Sequence, residues 1–271
     1  MNTKRLTTMN HPTPKKRLLL VLDFDGFLIN SYGLLRDTMA GFGLDVGDEE
    51  RFKNRRKFLK YLGGGKELLN NLVGMSLPKT RKLRLRLTEI YAESGRIYPE
   101  FIPLLNELIA SPMIHCGILT RNYTLNPGPT IRAVLHNSGV NDSDLDFVIP
   151  IPIGVKKTEV LTAMCASRYF ESLLGADEVG DYRAAIEAGY ECVIGSYGFD
   201  TRERLIMQGE VPAECIYDTP AALTAALKER LAIYIDGVAR GTLGKRVIAS
   251  TSGRLIGARY DAKSAVHAAH E

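Results

Sequence analysis

The chain has 271 residues, of which 45% are hydrophobic and 24% are charged. This is the composition of a globular protein, and it excludes a disordered chain, a collagen-like chain and a disulfide-rich mini-protein. The sequence has no apolar run of about 18 residues, so it predicts no membrane-spanning helix. The net charge of +4 is the sum of segments with opposite charge, because residues 30–97 carry +6 and residues 98–232 carry −8.

The first 17 residues carry five basic residues and no acidic one, and we predict a disordered basic tail over residues 1–17. The apolar stretch that follows is too short for a secretory signal peptide, and acidic residues come directly after it. The four cysteines are scattered without the spacing of a metal site, which is typical of buried thiols in a reducing compartment. We therefore expect a cytoplasmic protein.

Short apolar segments alternate with helical patterns from residue 18 to about residue 232, which predicts an α/β fold with a mostly parallel sheet. Leu18–Leu22 is apolar throughout, as expected for a central strand that is buried on both faces. Further strands are predicted at Ile114–Leu119, Phe147–Pro150, Ser172–Gly175, Glu191–Ile194 and Glu214–Tyr217. Helices are predicted at Pro103–Ala110, Pro129–Asn137, Thr158–Ala166, Tyr182–Ala188 and Ala221–Leu231.

Residues 32–97 interrupt this alternation, because their patterns are helical only. We predict that they form a helical module inserted into a core domain made of residues 18–31 and 98–232. The helices of this module are predicted at Gly33–Phe42, Glu49–Tyr61, Lys66–Met75 and Thr80–Ser94.

Residues 233–271 form a separate C-terminal extension with a different pattern. Val247–Ser250 and Leu255–Ala258 are β-like runs around a Thr-Ser-Gly turn, which predicts a β-hairpin. An isolated hairpin is marginally stable in water, so this one would pack on the core or on a second subunit of a homodimer.

Two carboxylates, Asp23 and Asp25, follow the first predicted strand directly and precede Gly26. In open α/β sheets ligands bind beyond the carboxyl ends of the strands, and side chains two apart in an extended chain point the same way. One carboxylate can attack phosphorus, and a second can protonate the leaving oxygen and then activate water. The pair predicts phosphoryl transfer, for which Mg²⁺ would screen the negative charges.

Residues suited to binding phosphate follow two later strands. Thr120 and Arg121 come at the end of the second predicted strand, where a hydroxyl can donate to a phosphoryl oxygen. Lys156 and Lys157 precede the helix after the third strand, where a cation can hold the phosphoryl group.

A second acidic pair, Asp177 and Asp181, follows the fourth predicted strand, with Glu178 nearby. One helical turn would place both aspartates on the same face. Because like charges this close are unfavourable without a counterion, the pair predicts a divalent cation.

Four segments resemble the motifs of the haloacid dehalogenase-like superfamily: LLLVLDFDGFLIN, GILTRN, the lysines at 156–157, and DEVGDYRAAIEAG. The similarity spans about residues 18–230, and residues 32–97 resemble the helical C1 cap of phosphoglycolate-phosphatase-like members. The resemblance implies a Rossmann-like three-layer α/β/α core and a Mg²⁺-dependent hydrolase acting on a small phosphomonoester.

The resemblance also implies catalytic and metal-binding roles. Asp23 would be the nucleophile and a metal ligand, and Asp25 the general acid/base, with its backbone carbonyl on Mg²⁺. Asp177 would bind Mg²⁺ directly, and Asp181 would hold the metal site from close by. Asp25 favours phosphoryl transfer, because the dehalogenase branch of the family lacks an acid at this position.

The resemblance implies that Thr120 and one lysine bind the phosphoryl group. Arg121 and Gly26 are further candidate phosphate-binding residues. Lys157 is favoured as the phosphate lysine because it lies four residues before a leucine, as in the family's K-x-x-x-L helix opening. Lys156 is the alternative.

Three residues depart from the family pattern: Phe27, where Thr or Val is frequent, and Ala176 and Glu178, which flank Asp177. A phosphomutase would keep all four motifs, so it stays an alternative function. The irregular fourth motif and the C-terminal extension leave a catalytically weak binding or scaffold protein as another.

The inserted module contains candidate substrate contacts at Arg55, Arg56 and Lys66, the last of which follows a run of three glycines. A glycine run beside a basic residue can present backbone amides to an anion. The basic run at residues 79–87 leaves a nucleotide or nucleic-acid-end phosphatase as a further alternative, although such runs are more often solvated helix faces. We expect the partner to be a small phosphorylated metabolite, not nucleic acid or a membrane.

Overall fold

The computed structural model describes residues 18–45, 49, 80–152, 154–165, 169 and 171–239. In this part of the chain, three helices follow the first strand, and strands and helices alternate after that. The strands are β1 (Leu18–Leu22), β2 (Ile114–Thr120), β3 (Phe147–Pro150), β4 (Glu171–Ala176), β5 (Glu191–Gly195) and β6 (Ile216–Tyr217). The helices are α1 (Ser31–Ala40), α2 (Thr80–Ser94), α3 (Phe101–Ile109), α4 (Pro127–Asn137), α5 (Lys157–Cys165), α6 (Val179–Glu187), α7 (Arg202–Gly209) and α8 (Pro220–Ala239).

The strands form one parallel sheet in the order β3-β2-β1-β4-β5-β6. Strand β1 is central, with Leu18 opposite Ile114 of β2 and Glu171 of β4. The chain builds outward from β1 through β2 to β3, and then returns to the other side of β1 with β4. In such sheets the crevice at this reversal is where ligands bind, which places a site beyond the carboxyl ends of β1 and β4.

Helices cover both faces of the sheet, and the side chains of β1 show why its sequence is apolar throughout. Successive side chains of a strand point to opposite faces. Leu18, Leu20 and Leu22 pack in one apolar cluster, with residues of α3, α4 and α8, while Leu19 and Val21 pack in a second, with residues of α5, α6 and α7. The predicted three-layer α/β/α architecture with a parallel sheet is confirmed.

The last helix, α8, begins at a side-chain cap. Thr219 Oγ1 accepts a hydrogen bond from the Ala222 N–H at 3.1 Å, and Pro220 occupies the first helical position. Proline suits that position because its missing N–H would have no partner within the helix. The helix continues to Ala239, which is beyond the predicted end at Leu231.

Two features differ from the sequence-based prediction. The strand predicted at Glu214–Tyr217 is wrong in its first half, because a 3₁₀ turn over Ala213–Cys215 precedes a strand of only two residues. Helix α7 has no counterpart among the predicted elements. It buries only Leu205 and Gly209, so it lacks the apolar periodicity by which a helix is recognised.

Helices α1 and α2 come from the segment predicted as the inserted module. They pack against each other, and α2 also packs against α4 of the core. The helices predicted at Glu49–Tyr61 and Lys66–Met75 lie outside the described residues, apart from Glu49, as do the basic tail and the C-terminal hairpin. Within the described ranges, no helix combines the length and apolar character needed to cross a bilayer.

Candidate active site

Asp23 lies directly after β1, and its backbone continues the pairing with β4, because its N–H donates to the Gly175 carbonyl at 2.8 Å. The residue is buried, with 7% of its surface exposed. The Phe24 N–H donates to Oδ1 at 2.7 Å, and Lys157 Nζ donates to Oδ2 at 2.9 Å. Burial raises the pKa of Asp23, but the charge of Lys157 and these hydrogen bonds lower it by more, so the carboxylate is ionised.

Lys157, the first residue of α5, connects two carboxylates. Its Nζ lies 2.9 Å from Asp23 Oδ2 and 2.8 Å from Asp181 Oδ2. Burial lowers the pKa of Lys157, but the two aspartates raise it by more, so the lysine keeps its charge. Burial, together with the nearby charge of Asp23, raises the pKa of Asp181. Lys156 is exposed, so of the two candidate lysines only Lys157 reaches the nucleophile position.

Asp177 follows β4 and is fully buried. The Phe199 N–H donates to its Oδ2 at 2.6 Å. Two glycines pack against this carboxylate: a Cβ on either Gly26 or Gly198 would lie 2.3 Å from Asp177 Oδ2. Gly26 also has a φ of +79°, a conformation that side chains other than glycine rarely adopt. The turn after β1 and the loop after β5 therefore close tightly around Asp177.

The donor set of this cluster fits a hard divalent cation. Each of Asp23, Asp177 and Asp181 offers a carboxylate oxygen, and these oxygens lie within 4.8 Å of one another. Oxygen ligands of this kind are those that Mg²⁺ takes in proteins. The buried Lys157 contacts two of these buried carboxylates, Asp23 and Asp181. Its single positive charge is smaller than the negative charge of the fully ionised cluster, and a divalent ion would balance the remainder.

Asp25 accepts hydrogen bonds on both oxygens. Ser31 Oγ and the Tyr91 hydroxyl donate to Oδ1 at 2.8 and 2.5 Å, and Asn122 Nδ2 donates to Oδ2 at 3.0 Å. Thr120 Oγ1 lies 3.5 Å from Oδ2. Burial, with the nearby charge of Asp23, raises the pKa of Asp25 to about 6 despite these hydrogen bonds. A carboxyl group with such a pKa can exchange a proton near neutral pH.

The structure therefore brings most of the predicted site residues together at the carboxyl edge of the sheet. They are Asp23, Asp25, Gly26, Thr120, Lys157, Asp177 and Asp181. Arg121 does not join them, since its exposed side chain donates to the Val155 carbonyl at 2.8 Å. Neighbouring side chains at a strand end point to opposite sides, which explains why Thr120 faces Asp25 and Arg121 does not. Arg55, Arg56 and Lys66 lie outside the described residues.

Three further residues contact Asp25 without having been predicted: Ser31, Tyr91 and Asn122. Asn122 follows the second strand within the GILTRN segment, so its position at the sheet edge was readable from the sequence. Tyr91 gave no such signal. It lies on the buried stripe of α2 beside Leu87, where a tyrosine is indistinguishable by pattern from a core residue.

The tight packing at Asp177 leads to a prediction about stability. Alanine at Gly198 would overlap Asp177 Oδ2 and the Gly26 carbonyl, so we expect Gly198→Ala to lower the free energy of unfolding by about 1–3 kcal/mol. Gly180 in α6 is a matched control because a Cβ there meets no atom within 4 Å. Gly180→Ala should stabilise the helix by about 0.5–1 kcal/mol. Urea denaturation of both variants measures this, and equal effects would contradict the packing described.

Comparison with known proteins supports the fold. No protein-family model and no curated protein sequence matches the chain. Among solved structures, a haloacid dehalogenase-like hydrolase from Streptococcus pneumoniae is similar with a TM-score of 0.53 and 16% identity, covering 81% of this chain and 99% of that one. CbbY from Rhodobacter sphaeroides, solved with phosphate, is similar with a TM-score of 0.53 and 19% identity, covering 76% of this chain and 95% of that one. A predicted phosphoglycolate phosphatase from Haemophilus somnus is similar with a TM-score of 0.54 and 18% identity, covering 82% of this chain and 99% of that one.

The chain thus has the haloacid dehalogenase-like fold, with its acidic cluster at the carboxyl edge of the sheet. At these identities the likeness establishes the fold, and the chemistry has to be argued from the side chains of the site.

Proposed function

We propose that this protein is a Mg²⁺-dependent phosphatase that hydrolyses a small phosphomonoester through an aspartyl-phosphate on Asp23. The observation that carries the proposal is the pairing of two unlike carboxyl groups after one strand. Asp23 is held ionised by Lys157, while burial raises the pKa of Asp25 to about 6. Such a pair supplies a nucleophile and an acid at the same pH.

In the first step, a carboxylate oxygen of Asp23 forms a bond to phosphorus, and the bond from phosphorus to the leaving oxygen breaks. Asp25, in its protonated form, gives its proton to that oxygen, so the product leaves as a neutral alcohol. Lys157 lies against the Asp23 carboxylate and can neutralise the phosphoryl oxygens. The Thr120 hydroxyl can donate a hydrogen bond to one of them.

In the second step, Asp25 is a carboxylate and takes a proton from a water molecule as the water oxygen attacks phosphorus. The bond between phosphorus and Asp23 breaks, inorganic phosphate forms, and Asp25 is again protonated. Mg²⁺, held by Asp23, Asp177 and Asp181 with the Asp25 carbonyl, would supply positive charge to the phosphoryl oxygens.

The proposed substrate is a small phosphorylated metabolite. This choice is supported by the low exposure of the nucleophile, since Asp23 is 7% exposed and Tyr91 of α2 lies over the neighbouring Asp25. A phosphate at the end of a small molecule reaches such a position more easily than one within a folded macromolecule. The cytoplasmic location and the homodimer formed through residues 233–271 stay predictions.

The proposed metal site leads to a prediction that does not depend on catalysis. Mg²⁺ at one hundred times its dissociation constant should stabilise the protein by about 2.7 kcal/mol, because an ion that binds only the folded state shifts the unfolding equilibrium. Asp177→Asn removes one of the three clustered carboxylates and should abolish most of this gain. Asp37→Asn, at an exposed residue of α1, should keep it. Thermal melts with Mg²⁺ or EDTA measure the effect, and an equal gain in both variants would contradict the site.

The function itself is tested by measuring phosphate release from a panel of phosphorylated sugars, acids and nucleotides, with Mg²⁺ or with EDTA. The proposal expects release from at least one small phosphomonoester and none with EDTA. Isomerised sugar phosphates without net release would identify a phosphomutase instead. Release confined to nucleotides would change the substrate class. No release from any compound would refute the proposed enzymatic function and favour a binding or scaffold protein.

A further inference from the structure

The two oxygens of Asp25 have different surroundings. Oδ1 accepts hydrogen bonds from the Ser31 hydroxyl at 2.8 Å and from the Tyr91 hydroxyl at 2.5 Å. Oδ2 faces Asn122 Nδ2 at 3.0 Å and Thr120 Oγ1 at 3.5 Å, both at the end of β2. One oxygen therefore faces α1 and α2, and the other faces the edge of the sheet where the phosphate-binding residues lie.

The hydrogen-bond roles at Oδ1 follow from the contacts of Ser31. The Gly26 N–H donates to Ser31 Oγ at 3.2 Å, which uses the hydroxyl as an acceptor and leaves its one proton for Asp25. Tyr91 presents a second hydroxyl to the same oxygen. Oδ1 accepts from two O–H donors, whereas Oδ2 accepts at 3.0 Å from one N–H donor, that of Asn122. The more heavily used oxygen is the poorer position for the carboxylic acid proton, which therefore belongs on Oδ2.

Tyr91 is held firmly in this position by the rest of α2. Arg84 donates to the carbonyls of Tyr123 and Thr124 at 3.1 and 2.8 Å. Thr88 Oγ1 accepts from the Leu125 N–H at 2.8 Å. These contacts attach α2 to the loop that follows Asn122, and Tyr91 itself is 4% exposed. The hydroxyl is thus preorganised and need not be ordered during the reaction.

We propose that Tyr91 is a positioning residue for the phosphatase reaction. Its hydroxyl, together with Ser31, directs the acid proton of Asp25 to Oδ2, the oxygen that faces the leaving group. This inference rests on the proposed function and adds to it a residue from the segment that interrupts the core. In the first step the proton moves from Asp25 Oδ2 to the leaving oxygen as its bond to phosphorus breaks. Tyr91 keeps its own proton throughout.

The test compares two aryl phosphates in Tyr91→Phe. The value of kcat/KM covers the steps up to the aspartyl-phosphate, in which the leaving oxygen is protonated. The oxygen that leaves from phenyl phosphate needs that proton more than the one that leaves from p-nitrophenyl phosphate. The reason is that p-nitrophenol is a stronger acid than phenol and leaves easily as an anion. Because a general acid contributes about 10²–10⁴-fold, kcat/KM for phenyl phosphate should fall at least about tenfold more than for p-nitrophenyl phosphate. A purely structural defect would lower both equally, and that result would overturn the proposal.

The control is Tyr234→Phe. Tyr234 is also a buried tyrosine that donates to a carboxylate, that of Glu191, but Glu191 begins β5 at the opposite edge of the sheet. This variant should leave the ratio of the two kcat/KM values unchanged, and a change equal to that of Tyr91→Phe would overturn the assignment.

If Tyr91→Phe does not fold, Ser31→Ala takes its place, because Ser31 donates to the same oxygen. The same selective loss for phenyl phosphate would support the proposal, and a uniform loss would overturn it. If wild type releases phosphate neither from these two compounds nor from any member of the metabolite panel, the proposed function fails together with the role of Tyr91. If wild type is active and the ratio does not change, only the role of Tyr91 fails.

Discussion

Asparagine in place of Asp23 is expected to lower phosphate release by at least about a thousandfold. The amide has the shape of the carboxylate but lacks the charged oxygen that would attack phosphorus. It also removes the negative charge that contacts Lys157 at 2.9 Å. The measurement is the rate of phosphate release with Mg²⁺, using the best substrate found in the panel, for wild type and Asp23→Asn.

Asp37→Asn is the control for this experiment. Asp37 is an exposed aspartate on α1 whose partner is the neighbouring Arg36, so its loss should change phosphate release less than twofold. Circular dichroism and a thermal melt show whether Asp23→Asn is folded. A folded Asp23→Asn protein with a tenth or more of the wild-type rate would contradict the assignment of the nucleophile.

Methionine in place of Lys157 is expected to impair both stability and activity. The substitution leaves the ionised Asp23 buried without its cationic partner, and breaking a buried ion pair in this way costs about 3–5 kcal/mol. Phosphate release should also fall by about a hundredfold or more, because a preorganised charge beside the reacting group is lost. Urea denaturation with EDTA measures the first effect, and the phosphate assay with Mg²⁺ the second.

The pH range of the stability effect follows from the sign of the Lys157 shift. Burial lowers the pKa of Lys157, but Asp181 and Asp23 raise it above the ordinary value of 10.5 by more. The stabilising contribution of a group with a raised pKa is complete below its unfolded-state value and is lost as the pH rises through the folded-state value. The loss in free energy of unfolding caused by Lys157→Met should therefore not change between pH 6 and pH 9 through titration of Lys157.

Lys156→Met serves as the matched control, since it removes the same charge one residue earlier from an exposed side chain. Its stability should stay within about 0.5 kcal/mol of wild type. If Lys156→Met and Lys157→Met lose activity to the same extent, the choice of Lys157 as the phosphate-binding lysine is wrong.

The sequence predicted the parts of the fold and site that depend on local pattern. Leu18–Leu22 was recognisable as a central strand because both of its faces are buried, so every residue is apolar. Asp23, Thr120 and Asp177 could be placed together because the carboxyl ends of parallel strands meet at one edge of the sheet. The contact of Lys157 with Asp23 agrees with the K-x-x-x-L spacing on which that lysine was chosen.

What the sequence did not show depends on tertiary contacts. Tyr91 is 66 residues from Asp25, and no local pattern links a tyrosine on an apolar helix stripe to a carboxylate so far away. Arg121 was grouped with Thr120 because the two are adjacent, but the direction of each side chain depends on the strand geometry. Helix α7 was not predicted, because a helix that buries few residues has no periodic apolar pattern to detect.

In the proposed reaction, Asp23 carries the phosphoryl group during turnover. The most direct test is to mix wild type with substrate and Mg²⁺, stop the reaction with acid within milliseconds, and analyse its peptides by mass spectrometry. We expect one added phosphoryl group on the peptide that contains Asp23, absent from Asp23→Asn and removed by hydroxylamine. Active enzyme with no phosphoryl group on that peptide, or with the group on another residue, would contradict it.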